Sequence, residues 1–131
     1  MASRVALTLE EDLVKARRET RNLAQEAGLR VVAQTRLITA VSEIARNAIK
    51  YGGGGEMTLS LFREGSRRGI MVEVADSGPG IGDMALAMSD GYTTGGGLGL
   101  GLGGSRRLVD DFEILSAAGQ GVRVRMKVWA S

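Results

Sequence analysis

The sequence contains no cysteine and no histidine. The first absence removes disulfides and thiolate metal centres. The second removes the commonest general base, the commonest zinc ligand and any phosphoacceptor imidazole. Chemistry in this chain must therefore come from carboxylates, amides, hydroxyls, Lys or Arg, or a bound ion. Aromatic residues make up only 4%, and the 17 Lys and Arg are scattered against 15 Asp and Glu, for a net charge of +2. A basic stripe interleaved with aromatics is missing, so no nucleic-acid partner is expected. No apolar run reaches membrane-spanning length. Residues 1–9 hold no apolar signal core before the acidic Glu10. The expectation is a cytoplasmic protein with no membrane association.

What is present fits a folded chain. It has 131 residues, 44% of them hydrophobic, which predicts one domain over residues 1–131 with a sizeable core. Val5, Leu7 and Leu9 alternate with polar residues and predict a strand over residues 4–9. Leu13, Ala16, Leu23 and Ala27 repeat at helical spacing from Glu10, with Gly28 as the cap. A second helix runs from about Val31 to Tyr51, with Leu37, Val41, Ile44, Ala45 and Ala48 as its apolar stripe. Gly52 to Gly55 ends it. Two alternating strands follow, through Met57, Leu59 and Leu61 and through Ile70, Val72 and Val74, joined around Glu64 to Gly69. Residues 77–98 read as loop, with a short helix near Asp83 to Met88. A helix begins inside the next glycine run and continues through Arg107, Leu108 and Val109. Glu113 to Ala117 and Val122 to Val128 are the last strands, turned at Gly119-Gln120-Gly121. The order β-α-α-β-β-loop-α-β-β predicts an α+β two-layer sandwich, a mixed, mostly antiparallel sheet covered on one face by helices.

Three segments carry chemistry. Glu43 and Asn47 lie four residues apart and share a helix face with Thr39. A carboxylate and an amide oxygen so placed can hold Mg²⁺ or orient water. A solvated helix face is the commoner meaning of such a pair alone. Lys50 follows at the helix end, either a phosphate contact or an ordinary surface lysine. Asp76 closes the strand Ile70–Ala75 and is followed by Ser77-Gly78-Pro79-Gly80. Its carboxylate can accept from an exocyclic amine while the glycines admit a flat ligand. The same five residues are also good turn chemistry.

The densest feature is Gly95, Gly96, Gly97, Gly99, Gly101, Gly103 and Gly104, interleaved with Leu98, Leu100 and Leu102. Flexible linkers are usually rich in serine and polar residues, whereas regular leucines predict a loop that packs down. Main-chain N–H groups leading into a helix favour anions. The run matches G-x-G-x-x-G only through its density. No acidic residue stands about 20 positions on, which argues against a dinucleotide fold, and no P-loop sequence is present.

Taken in this order, the segments resemble the GHKL ATPase superfamily of gyrase B, heat-shock chaperones, histidine kinases and anti-sigma-factor kinases. Glu43 and Asn47 match its N box, Asp76, Gly78 and Gly80 its D-x-G-x-G box, and Gly95 to Gly104 its lid. The strings Ser42-Glu43-Ile44-Ala45-Arg46-Asn47, Asp76 to Ile81 and Asp90 to Gly99, then Arg107-Leu108, are most similar to RsbT-type switch kinases of the stressosome. The likeness covers nearly the whole chain. It implies a serine protein kinase using ATP and Mg²⁺. Glu43 would be the catalytic carboxylate that takes or orients the hydroxyl proton, and Asn47 the metal ligand. Asn47, Lys50, Asp76, Gly78, Gly80, Ile81, Thr94, Gly95, Gly96, Gly97, Leu98, Gly99, Leu100 and Gly101 would contact the nucleotide. It also implies a STAS-domain antagonist protein as substrate and a PP2C-type phosphatase activated by binding. Three alternatives stay open. One is a sigma-factor-sequestering anti-sigma kinase, one a histidine-kinase catalytic domain, and one a nucleotide-gated adaptor without transfer. Many relatives carry Gly-x-Gly-Thr near the C-terminus, where the Thr helps bind the base region. This chain has Gly119-Gln120-Gly121-Val122, which shifts the expected base contact towards Asp76.

Overall fold

Asp12 decides where the first strand stops. Its carboxylate Oδ2 accepts the main-chain N–H groups of Thr8 and Leu9, both at 2.8 Å. Those two donors are thereby taken out of sheet pairing, so β1 covers Ala2–Leu7 rather than residues 4–9, and Leu9 is exposed. The computed structural model describes residues 2–50, 53–76, 102–116 and 121–130. The loop and short helix expected between residues 77 and 98, and most of the turn at Gly119-Gln120-Gly121, lie outside them.

Helix α1 (Asp12–Ala27) ends at Gly28, whose φ of 83° is the left-handed conformation that glycine adopts without a Cβ penalty. The N–H of Leu29 then donates to the Ala24 carbonyl at 3.0 Å. Only three residues separate α1 from α2 (Val31–Lys50), so the two helices pack as an antiparallel hairpin. Arg17 fixes their register: its Nε donates to Ser42 Oγ at 2.8 Å, and that hydroxyl donates to the Ile38 carbonyl at 2.7 Å. The whole expected stripe of α2, Leu37, Val41, Ile44, Ala45 and Ala48, is buried.

Strands β2 (Gly55–Glu64) and β3 (Arg67–Asp76) form a hairpin with Glu64 opposite Arg67. The turn is only Gly65-Ser66, with Gly65 at φ 63°, which suits a two-residue hairpin with glycine first. Helix α3 (Leu102–Leu108) packs on α2. Strands β4 (Asp111–Ser116) and β5 (Val122–Ala130) complete a sheet of order β1-β2-β3-β5-β4, antiparallel at each of its four pairings.

Period-two alternation divides the sheet into two faces. Val5, Leu7, Met57, Leu59, Ile70, Val72, Val74, Val124, Met126 and Val128 are buried with the stripes of α1 and α2 in one core. Their neighbours form the other face. There Glu73 accepts from Arg125 at 3.0 Å, Arg123 approaches the same carboxylate, and Trp129 stacks edge-on against Phe62 at 4.5 Å. Among the described residues the helices thus cover one face, as the α+β sandwich requires.

Candidate nucleotide site

The chain brings the N-box helix and the end of β3 together through a run of main-chain contacts. Asn47 sits in the last turn of α2. The next residue, Ala48, accepts the N–H of Gly54 at 2.9 Å. Gly54 leads into Gly55, which pairs directly with Asp76 at the end of β3. A Cβ on Gly55 would collide with the Ala75 carbonyl oxygen, so only glycine lets the strands close here. Asp76 is held from the other side too, because its Oδ1 accepts the N–H of Val122 at 3.2 Å. Asn47 and Asp76, about 30 residues apart in sequence, are therefore joined through Ala48, Gly54 and Gly55.

Glu43 and Asn47 are both half-buried, while Lys50 is exposed at the helix end. Thr39, on their face, turns its hydroxyl back to the Thr35 carbonyl. Arg46, one turn after Glu43, places Nη1 3.2 Å from Glu43 Oε1. The expected nucleotide contacts Gly78, Gly80, Ile81, Thr94, Gly95, Gly96, Gly97, Leu98, Gly99, Leu100 and Gly101 lie outside the described residues. The helix that begins inside the glycine run does fall within them, and it packs on α2, the element that carries Glu43 and Asn47.

Residues 5–128 match the model of the histidine kinase-like ATPase domain. The chain belongs to that family. It is 41% identical over 125 residues to the serine/threonine-protein kinase RsbT of Bacillus subtilis (strain 168), covering 95% of this chain and 94% of the relative. It is 36% identical over 94 residues to the anti-sigma F factor of Thermoanaerobacter sp. (strain X514), covering 67% of this chain and 64% of that protein. Among solved structures, the fold is shared with the RsbU and RsbW domains of a Mycobacterium tuberculosis protein, at a TM-score of 0.65 and 19% identity. That match covers 98% of this chain and 32% of the other. The catalytic domain of histidine kinase ThkA shares it at a TM-score of 0.52 and 21% identity, over 98% of this chain and 97% of that one.

A histidine kinase-like ATPase domain uses ATP, and the described residues suit a magnesium nucleotide. Among them no three acidic side chains gather into a metal cage. Mg²⁺ does not need one, since it commonly takes one or two protein oxygens and completes its shell with phosphates and water. The carboxamide oxygen of Asn47, on the half-buried face of α2, is one such oxygen.

Sequence reasoning missed two members of this arrangement. The first is the main-chain N–H of Val122, which depends on strand pairing and not on side-chain type. The Thr-to-Val departure drew attention to the position, and its N–H serves whichever residue stands there. The second is Gly55, read from sequence as part of a turn. Its close approach to Ala75 needs the β2–β3 register, which pattern alone leaves open.

Proposed function

We propose that this serine/threonine kinase passes the γ-phosphoryl group of MgATP to a serine hydroxyl on a STAS-domain antagonist protein in a bacterial partner switch, and that once released it binds and activates a PP2C-type phosphatase. The observation that carries this reading is the 41% identity to RsbT over nearly the full length of both chains. The presentation of Glu43 and Asn47 on one half-buried face of α2 supports it.

In this reading each residue has one task. Asn47 holds the ion through its carboxamide oxygen. Asp76 accepts from the adenine amino group, with its Oδ1 steadied by the Val122 N–H. Lys50 approaches the phosphates as a point charge. Glu43 accepts the proton of the incoming hydroxyl. When bound, the ion neutralises charge on the transferring phosphoryl group, in a reaction where positioning and electrostatics supply most of the catalysis.

The test is transfer from labelled ATP to a purified STAS-domain partner, with mass spectrometry of the product. Glu43→Gln is expected to lose about 10²–10⁴-fold in rate, the usual contribution of a general base, while keeping its nucleotide affinity. A variant that phosphorylates at the wild-type rate would remove Glu43 from the role. The similarity to an anti-sigma F factor favours a second reading, sequestration of a sigma factor. Stable co-elution with a sigma factor, without turnover of a STAS-domain protein, would select it.

A further inference from the structure

Arg46 is the one charged side chain that meets Glu43 among the described residues. Its Nη1 lies 3.2 Å from Glu43 Oε1, and both side chains are little more than a third exposed. Helix geometry sets these residues on opposite flanks of Glu43. At 3.6 residues per turn, Arg46 lies about 60° to one side of Glu43 and Asn47 about 40° to the other. The carboxylate thus stands between a cation of the protein and the residue assigned to the metal.

That position poses a chemical conflict. A carboxylate one turn from a magnesium ligand is itself a good oxygen ligand for the ion. Bound to the metal, it would give up the electron density that a proton acceptor needs. We propose that Arg46 is a positioning residue which holds Glu43 away from the ion, so that the carboxylate serves as base and not as ligand. The inference rests on the assignment of Glu43 and Asn47 given above. A single Arg–Glu contact at i,i+3 is worth only a few tenths of a kcal/mol on an exposed helix. Its use here is directional: it selects one side-chain orientation on the flank facing away from Asn47. A guanidinium suits this better than an ammonium, because its planar fork fixes the direction of the donated hydrogen.

The experiment compares wild type, Arg46→Gln, Arg46→Lys, Glu43→Gln and the double variant Glu43→Gln/Arg46→Gln, all as full chains. Two quantities are read. One is kcat and KM for transfer to the STAS-domain partner. The other is Mn²⁺ affinity in the complex with an unhydrolysable ATP analogue, followed by the electron-spin signal of free Mn²⁺. Arg46→Gln is expected to lower kcat by about 10–100-fold, as loss of a group orienting another commonly does, with little change in KM for ATP. The same variant should bind Mn²⁺ several times more tightly, because Glu43 is released towards the ion. Arg46→Lys should restore part of kcat. In the double variant the tightening should vanish, since it requires the Glu43 carboxylate. Unchanged kcat in Arg46→Gln, unchanged or weaker Mn²⁺ binding, or tightening that persists in the double variant would each overturn the proposal. Glu43→Gln alone separates the two levels. Wild-type transfer by that variant defeats the assignment of the base. An inactive Glu43→Gln beside a neutral Arg46→Gln defeats only the role of Arg46.

Discussion

Asp76 has two oxygens, and the fold engages Oδ1 through the Val122 N–H. This makes Asp76→Asn an informative substitution. Asparagine keeps an Oδ1 that can still accept from Val122, while its NH₂ replaces the second oxygen with a donor. A donor facing the adenine amino group cannot accept from it. Asp76→Asn is therefore expected to lose about tenfold or more in ATP affinity, since hydrogen bonds to charged groups contribute roughly 1.5–3 kcal/mol. Its preference for ATP over GTP should narrow as well. Calorimetry with Mg²⁺ present reads both, and equal ATP affinity in the variant would take Asp76 out of base recognition.

Gly55 and Asp12 act at the level of elements, by setting where strands close and where they stop. Gly55→Ala drives a Cβ into the Ala75 main chain, where no flexible side chain can yield. The strands must separate next to Asp76, so this variant is expected to lose stability by about 1–3 kcal/mol, as overpacking does, and nucleotide affinity with it. A denaturation midpoint and an ATP affinity both equal to wild type would show that the ladder tolerates the methyl. Asp12 is tied to pH. The N–H groups of Leu9 and Thr8, with Lys15 nearby, hold its carboxyl below the usual carboxylate range. A depressed folded value means that the contribution is fully present above the unfolded range and is lost as pH falls through the folded one. Asp12→Asn should flatten the decline of Tm in acid and leave its dependence near neutrality unchanged. Parallel Tm curves for the two proteins below about pH 4 would contradict this. These two residues also mark what the sequence could tell. The stripe of α2, the Gly28 cap and the alternation in β2, β3 and β5 were legible because each is a local period or a local dihedral requirement. The end of β1 was not, because Asp12 reaches back to residues 8 and 9 through a side-chain contact that alternation cannot register. Glu43, Asn47 and Asp76 could be named from their motifs, but the path joining them through Gly54 and Gly55 exists only once the strands are paired.

Across the whole molecule, the arrangement of charge and the inventory of side chains bear on the chemistry. On the uncovered sheet face Arg4 pairs with Glu56, and Arg123 and Arg125 with Glu73, so opposite charges alternate there. An exposed pair such as Arg4–Glu56 contributes at most about 1 kcal/mol. The chemically decisive fact is compositional. With no histidine and no cysteine in 131 residues, the chain has neither an imidazole nor a thiol on which to carry a phosphoryl group. In the function proposed above, transfer runs directly from ATP to the partner's hydroxyl, and the product is a phosphate ester. Esters of serine survive acid and are lost in warm alkali by elimination, whereas phosphoramidates of histidine behave in the opposite way. After incubation with labelled ATP and a STAS-domain partner, the label is expected on the partner alone, stable to acid precipitation and released by alkali. No acid-labile label should appear on this chain. Acid-labile label on the partner would place the reaction with the histidine kinases that share the fold, and would displace the serine-kinase reading even if every residue assigned to the nucleotide proved correct.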